Sequence, residues 1–470
     1  MITESMDQGS FAEFATKMEV AGVRETAVRA FQHNYESLLA GQTGMIPEAG
    51  IQPVEELPRL ETVSKERAPD PTLLSQTVVV KLNGGLGTSM GLERAKSLLQ
   101  VKDGLTFLDF IVKQVLHLRE RHRVPLRFLL MNSFSTSRDT LDFLKKYPEL
   151  GDPRSLELMQ SQAPKVDANT LRPVSWPANP QLEWCPPGHG DFYPSLSGSG
   201  WLERLLKAGV RYLFISNSDN LGANLDLDLL SYFANSQKPF IMEVAERTTA
   251  DRKGGHLARR NDILLLRESA QCPGADEAAF QDIQRHRFFN TNNLWIRLDA
   301  LQELLRARGG FVPLPLIRNS KTIDPRDPNS PRVFQLETAM GAAIECFDNA
   351  GAIVVPRMRF TPVKTTADLF ALRSDAYQLT EDWRVVLANA NGRPPPALDL
   401  DGKHYKLVEQ LDEKLSDGVP SLKECQALVV RGPVWFSSKI LFRGKVTLTN
   451  ASSERRSLAP GQYADTSVEV

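Results

Sequence analysis

The chain has 470 residues, of which 41% are hydrophobic and 24% are charged, so it is long enough to bury more than one core. We expect a soluble globular protein with two or three domains. A net charge of −1 and a pI near 6.7 provide no bulk attraction to nucleic acid or to an anionic membrane, so an anionic ligand must be captured by local groups.

The N-terminal stretch "MITESMDQGSFAEF" is acidic and lacks the basic segment and apolar run of a secretory signal. No run of about eighteen apolar residues follows, and we therefore expect a cytoplasmic location. The cysteines form no C-x-x-C pair, which argues against structural zinc and a disulfide framework; they are Cys185, Cys272, Cys346 and Cys425.

Along the chain, apolar residues first recur at helical spacing from Phe11 to about Ala40, which predicts one or two amphipathic helices. Residues 41 to 76 are rich in Pro, Glu and Gly and indicate an irregular connection. Strand-like runs then alternate with helical patterns, which predicts an α/β fold with a mostly parallel sheet flanked by helices. The runs are "TVVVKL", "LRFLLMN", "VRYLFISNSD" and "PFIMEVAE", and the helices lie near 107 to 121, 137 to 146, 201 to 208 and 226 to 235.

Two later regions differ from this alternation of strands and helices. Short polar segments from about 250 to 300, with a hairpin between "GGHLARR" and "DILLLRE", predict an insertion over the active edge of the sheet. After a Pro-rich break at 391 to 402, short alternating pieces favour either a coil of parallel strands or a set of antiparallel hairpins. The predicted domains are an N-terminal wrapping segment at 1 to 75, a catalytic domain at 76 to 390 and a small β domain at 400 to 470.

The stretch "VVVKLNGGLGTSMG", residues 78 to 91, places four glycines after the first strand of this pattern. A phosphate gains there from free backbone N–H groups, which it reaches only where Cβ atoms are missing. The spacing G-G-x-G-x-x-x-G fits neither the P-loop, which needs a Lys-Ser or Lys-Thr, nor the G-x-G-x-x-G of NAD-binding folds.

The loop resembles that of nucleotide-sugar pyrophosphorylases, in which G-G-x-G-T is followed some nine residues later by a lysine, here Lys96. With "DGLTFLDF" at 103 to 110, it resembles the eukaryotic-type UTP–glucose-1-phosphate uridylyltransferase family. One departure is Ala95, where family members often have proline. The resemblance implies nucleotide contacts from Leu82, Asn83, Gly84, Gly85, Gly87 and Thr88.

The same resemblance implies a Rossmann-like nucleotide-diphospho-sugar transferase fold with a C-terminal left-handed parallel β-helix. It covers about 75 to 375 and thins beyond 400, where this chain is shorter than is usual for the family. Family members use that region in assembly, so a homo-oligomer formed through the C-terminal domain is one expectation.

Further motifs extend the resemblance on the nucleotide side. "PPGHGD" matches a family segment whose glycine contacts the uracil side and whose histidine reaches the sugar phosphate, here Gly188 and His189. "LMQSQAPKV" resembles the family's Q-S-x-x-P stretch, which implies Gln160 as the amide that reads uracil, with Gln162 two positions away. An amide donates and accepts at once, so it can match the mixed edge of uracil.

"SNSD" at the end of a strand matches the nucleotide-binding segment of the family and implies roles for Asn217 and Asp219. We assign Asp219 as the ligand of Mg²⁺, which prefers to keep several waters and to take one or two carboxylates plus phosphates. "FTPVKTTADLF" closely matches the family's "PVKTTSDL", so Lys364 takes the catalytic, phosphate-binding role alongside Lys96. Thr366 is the predicted N-cap of the helix that follows.

"DRKGGHL", "RFFNTNNLWI" and "QLETAMGAAI" resemble the glucose-binding segments of the family in sequence and order. Their amides and carboxylate offer the directional partners that sugar hydroxyls need. On this resemblance we assign Gly255, Asn290, Asn292 and Glu337 to the hexose.

The implied reaction joins UTP and glucose 1-phosphate to give UDP-glucose and pyrophosphate, with Mg²⁺ as cofactor and no nucleic-acid or membrane partner. Two alternatives stay open from sequence. One is a related uridylyltransferase that uses N-acetylglucosamine 1-phosphate or another hexose 1-phosphate, since one or two pocket residues can change a sugar preference. The other is a non-catalytic nucleotide-sugar sensor.

Overall fold

The computed structural model describes residues 4 to 66, 68 to 388, 394 to 452 and 454 to 470. Two helices begin the chain, α1 (Glu4–Val20) and α2 (Glu25–Leu39), as the helical spacing predicts. Their apolar residues Phe14, Phe31 and Tyr35 pack together and against strand residues of the main body such as Val166 and Leu336.

The connection from 40 to 76 is largely irregular, as predicted, and it runs along the main body. Its short strand β1 (Gln52–Pro53) pairs with Arg259 and Ala258, and a helical turn covers Leu60–Val63. Glu48 lies in this connection and accepts hydrogen bonds from Arg267, Arg285 and His286. The N-terminal segment is therefore fastened to the hairpin near residue 260.

A ten-stranded sheet forms the centre of the fold. Besides β1, its strands are β2 (Thr77–Asn83), β3 (Arg127–Asn132), β4 (Glu157–Met159), β5 (Tyr212–Asn217), β6 (Phe240–Glu246), β7 (His256–Arg260), β8 (Ile263–Arg267), β9 (Phe288–Arg297) and β10 (Gly351–Val354). Four adjacent strands are parallel, in the order β5-β2-β3-β4, and β9 runs antiparallel between β5 and β6. The mostly parallel sheet is thus confirmed.

Helices cover the sheet and bury its two faces in separate apolar clusters, one around Phe110 and Phe214 and the other around Leu213 and Leu266. The helices are α3 (Phe107–His122), α4 (Ser137–Leu144), α5 (Phe192–Gly198), α6 (Trp201–Lys207), α7 (Leu227–Ser236), α8 (Leu298–Ala307), α9 (Thr366–Arg373) and α10 (Val408–Lys414), with single turns at Glu277–Phe280 and Gly402–Tyr405.

The predicted hairpin is present as β7 and β8, which pair antiparallel through a turn at Asn261 and Asp262. Both turn residues have positive φ, which these two residue types tolerate in tight hairpins. The hairpin belongs to the central sheet, because His256 pairs with Phe289 on β9. "NTNN" lies inside β9, and the register of β9 shifts there against β6.

In the C-terminal part, β11 (Ala397–Leu400), β12 (Ser421–Arg431), β13 (Ile440–Thr449) and β14 (Gly461–Glu469) form one four-stranded sheet. All its pairs are parallel, so the antiparallel alternative is wrong. Buried residues such as Leu428, Val446 and Leu448 alternate with exposed ones and fill the interior. Parallel pairing lets each strand place its apolar side chains above those of the one before, with register shifts between β12 and β13 and between β13 and β14.

The small sheets join Ile317–Thr322 with Arg332–Glu337 and Val166–Asp167, Gln100–Lys102 with Leu105–Thr106, Ala163–Pro164 with Trp184–Cys185, Tyr377–Leu379 with Val385–Leu387, and Val434–Trp435 with Arg456–Ser457. None of the helices in the described part of the chain combines the length and apolarity needed to cross a bilayer.

Candidate active site

The predicted nucleotide residues lie at one edge of the central sheet, where its parallel strands end. Asn217 of β5 is opposite Leu82 of β2, and Asn83 is opposite Asn132 of β3. Gln160 follows β4, and its N–H donates to the carbonyl of Asn132 at 2.8 Å. This carboxyl edge is where open α/β sheets bind ligands, so the fold gathers residues that are far apart in sequence.

The glycine loop leaves β2 at this edge, and its glycines serve different purposes. Gly87 has a φ of 69°, which is left-handed, and a Cβ there would meet Leu92 at 2.9 Å. A Cβ at Gly84 would approach the side-chain oxygen Oε1 of Gln160 to 2.7 Å, whereas one at Gly85 would meet nothing within 4 Å. The left-handed backbone therefore explains Gly87, and the clearance at Gly85 faces open space.

Two other loop predictions have contrasting surroundings. The side chain of Asn83 is buried and donates to Asn132 Oδ1 at 2.7 Å and to Thr140 Oγ1 at 2.9 Å, so it braces the strand ends. Thr88 is exposed and begins a short 3₁₀ turn. The amide of Asn83 is occupied by internal contacts, since its Oδ1 also accepts from Ser218 Oγ at 3.5 Å.

Gln160 and Gly188 adjoin each other beside the glycine loop. Gln160 Nε2 donates to the carbonyl of Gly188 at 3.0 Å. Gly188 has a φ of 79°, and a Cβ there would lie 2.4 Å from the carbonyl oxygen of Thr338. The loop at 186 to 190 is thus pressed against the chain near Thr338, and glycine is required where they touch.

His189 is held in a defined tautomer. Its Nδ1 accepts the N–H of Met340 at 3.0 Å, which leaves Nε2 to carry the proton. Burial lowers the pKa of His189 to about 4, so the ring is neutral near pH 7. His189 can therefore donate one hydrogen bond from Nε2 without bringing a positive charge.

Lys96 and Asp219 form an ion pair at the sheet edge, with 2.7 Å between Nζ and Oδ2. The N–H of Lys96 also donates to the carbonyl of Gly85 at 3.0 Å, which ties the lysine to the glycine loop. The other carboxylate oxygen of Asp219, Oδ1, is buried and has no hydrogen-bond partner among the described residues. An unpaired carboxylate oxygen of this kind is a suitable ligand for a cation.

Lys364 is brought to the same edge by backbone contacts of the residues before it. The N–H of Val363 donates to the carbonyl of Asp219 at 3.2 Å, and Lys364 Nζ lies 5.8 Å from the ring centre of Phe360. The N-cap of α9 is Thr365, not Thr366, since the Thr365 hydroxyl and the Asp368 carboxylate form a reciprocal capping box. Lys364 therefore precedes the start of α9 with its side chain unconstrained by the cap.

The predicted sugar residues Gly255 and Asn290 share a carboxylate that the sequence did not single out, Glu268. A Cβ at Gly255 would lie 2.4 Å from Glu268 Oε2, and Asn290 hydrogen-bonds to the same carboxylate. Burial raises the pKa of Glu268, although Asn290 and the charge of Lys364 oppose this. Its only sequence signal is its position directly after strand β8.

Asn292 links this region to the nucleotide side, because its Nδ2 donates to Asn217 Oδ1 at 2.9 Å. It has a φ of 60° at the irregular point of β9. Its Oδ1 is buried and lacks a hydrogen-bond partner within the described ranges. Asn292 thus presents an unused acceptor between the two sides.

Glu337 lies with the His189 loop rather than with Gly255 and Asn290. It ends the strand Arg332–Glu337, its Oε1 accepts from Asn319 Nδ2 at 2.9 Å, and its Cβ is near Gly188. The assignment of Glu337 to the hexose stays a prediction.

The carboxyl-edge glycine loop, the lysine–aspartate pair and the parallel sheet define a nucleotide-binding α/β protein of the nucleotidyltransferase class. The family model "UTP--glucose-1-phosphate uridylyltransferase" matches residues 28–443, and the chain belongs to that family.

Individual relatives agree with this assignment. The UTP–glucose-1-phosphate uridylyltransferase of Solanum tuberosum is 38% identical over 456 residues, which cover 95% of this chain and 93% of that protein. A mutant of the UDP-glucose pyrophosphorylase from Leishmania major, solved in complex with UDP-glucose, is 48% identical with a TM-score of 0.92, covering 98% of this chain and 99% of the other. The UDP-glucose phosphorylase from Trypanosoma brucei is 49% identical with a TM-score of 0.90, covering 98% and 100%.

Proposed function

We propose that this chain is a UTP–glucose-1-phosphate uridylyltransferase that converts UTP and glucose 1-phosphate to UDP-glucose and pyrophosphate. The observation that carries the proposal is the convergence of Lys96, Asp219 and the Lys364 segment on the glycine loop at the carboxyl edge of the sheet. A binding module needs a pocket for the nucleotide, whereas two amines placed along a phosphate chain serve a transfer reaction.

In the reaction, an oxygen of the sugar phosphate attacks the α-phosphorus of UTP, a P–O bond forms, and the bond to pyrophosphate breaks in line. The nucleophile is already an anion near pH 7, so no general base is required. The barrier is electrostatic, because two unit charges about 4 Å apart repel by roughly 4 kcal/mol at an effective dielectric near 20. Lys96 and Lys364 neutralise and align the phosphates, and the N–H groups of the glycine loop orient them.

His189 steadies the incoming sugar phosphate with a hydrogen bond from Nε2. Since its ring is neutral, it adds orientation and leaves charge neutralisation to the lysines. Gln160 reads the uracil, with its carbonyl oxygen against Gly84 and its NH₂ group against Gly188. These contacts place uracil recognition next to the phosphate loop.

Mg²⁺ fits the residues present. Asp219 offers a buried, unpaired Oδ1, and no group of three or more His, Cys, Asp or Glu side chains in the described ranges is arranged to hold a metal. Asp219 would therefore hold the ion as the single protein carboxylate, with phosphate oxygens and water completing the shell. When bound, the ion supplies positive charge to the phosphates.

The hexose occupies the pocket formed by Gly255, Glu268, Asn290 and Asn292. The Glu268 carboxylate and the free Oδ1 of Asn292 accept hydrogen bonds from sugar hydroxyls, and the Asn290 amide completes the set. Glu268 lies directly against Gly255, where a side chain would meet its carboxylate.

The C-terminal part is proposed to be a left-handed parallel β-helix that supports a homo-oligomer in the cytoplasm. Its parallel strands, β11 to β14, support a coil of this type. Sedimentation analysis of the full chain and of a variant with charges placed on β14 tests the assembly.

The activity is tested with purified protein, UTP, glucose 1-phosphate and MgCl₂, with pyrophosphate release measured in the forward direction and UTP formation in reverse. Parallel reactions with N-acetylglucosamine 1-phosphate and galactose 1-phosphate measure sugar preference. UTP binding without product from any sugar phosphate would contradict the proposal and favour a sensor.

A further inference from the structure

The side-chain amide of Asn220 joins the two chain segments that carry Asp219 and Lys364. Asn220 Nδ2 donates to the carbonyl of Arg359 at 3.1 Å, and Oδ1 accepts the N–H of Thr361 at 3.0 Å. The residue is 2% exposed, so both bonds are shielded from water. One buried amide thus uses its donor and its acceptor to connect two segments about 140 residues apart in sequence.

Backbone pairing alone cannot hold these segments firmly. They meet at an isolated bridge between Asn220 and Pro362, and proline has no N–H to donate. The bond from the Val363 N–H to the carbonyl of Asp219 supplies one backbone contact. The Asn220 amide therefore provides hydrogen bonds that the backbone cannot make at this point.

Each of the two segments is also held by a buried charged residue, Arg359 in one case and Lys81 in the other. Arg359 forms two 2.8 Å contacts with Glu243, which is fully buried on β6, and also donates to the carbonyl of Asn224. Lys81 on β2 is buried and donates to Ser216 Oγ at 2.7 Å and to the Ala223 carbonyl, which ties both ends of the Asp219 loop. Arg359 and Asn220 therefore both join the two segments, and Asn220 does so directly beside Asp219 and Pro362.

We propose that Asn220 is a positioning residue that fixes Lys364 relative to Asp219 and Lys96 during uridylyl transfer, an inference that rests on the proposed function. Asn220 acts through the other residues and does not touch substrate. A displacement of about 1 Å at a reacting group can cost about 100-fold in rate. Loss of the amide therefore affects turnover more than binding.

Replacement of Asn220 by alanine is expected to lower kcat about 10- to 100-fold while the KM for UTP and the calorimetric Kd for UDP-glucose change by less than about threefold. Binding is retained because the contacts at Gly84, Gln160 and Gly188 do not involve Asn220. Asn220→Asp keeps the size and the acceptor but loses the donor. We therefore expect its kcat to fall as well, again with little change in the KM for UTP and the Kd for UDP-glucose.

The decisive measurement is a double-mutant cycle with Lys364→Ala. If Asn220 acts by placing Lys364, then Asn220→Ala lowers kcat by less than about threefold when Lys364 is already alanine. If Asn220→Ala acted only on overall structure, the losses of kcat from the two single variants would multiply in the double variant.

Asn450→Ala is the matched control, because Asn450 is also buried and clamps two segments of the C-terminal β domain through Pro433 and Glu454. Its loss is expected to lower the melting temperature and leave kcat unchanged.

Failure of wild-type protein to release pyrophosphate would refute the proposed function. With an active wild type, multiplicative losses in the double variant, equal losses of kcat in Asn220→Ala and Asn450→Ala, or an unchanged kcat in Asn220→Ala would overturn the role of Asn220.

Discussion

The proposed nucleotide side and the proposed sugar side of the site are built in different ways. On the nucleotide side, a continuous stretch from Leu82 to Thr88 presents backbone at the end of a parallel strand. On the sugar side, Gly255, Glu268 and Asn290 come from three separate stretches and meet through antiparallel strands. Backbone recognition depends on local geometry, whereas side-chain recognition depends on long-range packing.

This comparison predicts that the two sides respond differently to perturbation. Charge removal at the phosphates, where the two sides meet, should abolish turnover regardless of the sugar. Side-chain changes on the sugar side should alter the KM for the sugar phosphate and leave UTP binding intact.

Removal of Mg²⁺ should have the largest effect. A lost pair interaction of about 4 kcal/mol corresponds to about a 10³-fold loss of kcat. Pyrophosphate release should fall by this factor in EDTA and return with added MgCl₂. As a readout without turnover, Asp219→Asn should weaken the magnesium dependence of UTP binding in calorimetry. Full activity in EDTA would show that the reaction at the phosphates does not need a metal ion.

Lys364→Ala should reduce kcat about 100-fold or more at saturating UTP, by comparison with the loss of one oxyanion donor. Lys403→Ala, a change in the short helix Gly402–Tyr405, is a matched charge-removing control that should retain wild-type turnover. Near-wild-type kcat in Lys364→Ala would remove this lysine from the mechanism.

Glu268→Gln should raise the KM for glucose 1-phosphate about tenfold and change the KM for UTP by less than about twofold, because a hydrogen bond to a charged group contributes about 1.5–3 kcal/mol. Steady-state kinetics with each substrate varied in turn measure both constants. Equal changes in the two KM values would contradict the division between the two sides.

The smallest expected effect is on stability at acid pH, behind the sugar side. His256 and His286 stack with ring centres 3.9 Å apart, and burial lowers the pKa of His256 to about 2. An unfolded chain, in which the histidine pKa is near 6.5, therefore binds the proton first. The stabilisation is full above pH 6.5 and is lost as pH falls below it, at about 1.4 kcal/mol per pH unit for one histidine.

His256→Phe should flatten this slope in urea unfolding between pH 5 and pH 6.5, since phenylalanine keeps the aromatic stacking without a titrating group. His404→Phe, in the short helix Gly402–Tyr405, is the control and should retain the wild-type slope. Identical slopes in wild type and His256→Phe would show that the buried histidine pair does not set the acid limit.

Sequence patterns predicted β2, β3 and β5 of the four adjacent parallel strands, because a run such as "TVVVKL" carries its own periodicity. Strand β4 was not predicted, since three residues are too few to show a period. The glycine loop was also predictable from sequence, because it is one continuous local stretch. Glu268 was missed because it comes next to Gly255 only when the turn at Asn261 folds β8 back onto β7. The cap at Thr365 was misplaced by one residue, since "KTT" offers two hydroxyls and only the reciprocal bond with Asp368 distinguishes them.

Asn220 illustrates the same limit. In sequence it is one more polar residue after "SNSD", and its partners near Arg359 lie far along the chain. Its significance depends on the missing N–H of Pro362, which is visible in sequence only once the pairing of the two segments is known.

The fastening of Glu48 to Arg267 and His286 means that the N-terminal connection holds the hairpin next to the proposed sugar residues. Removal of the first fifty residues would remove a carboxylate that neutralises the buried positive charge of Arg267. A protein shortened in this way would leave the hairpin without this ionic support.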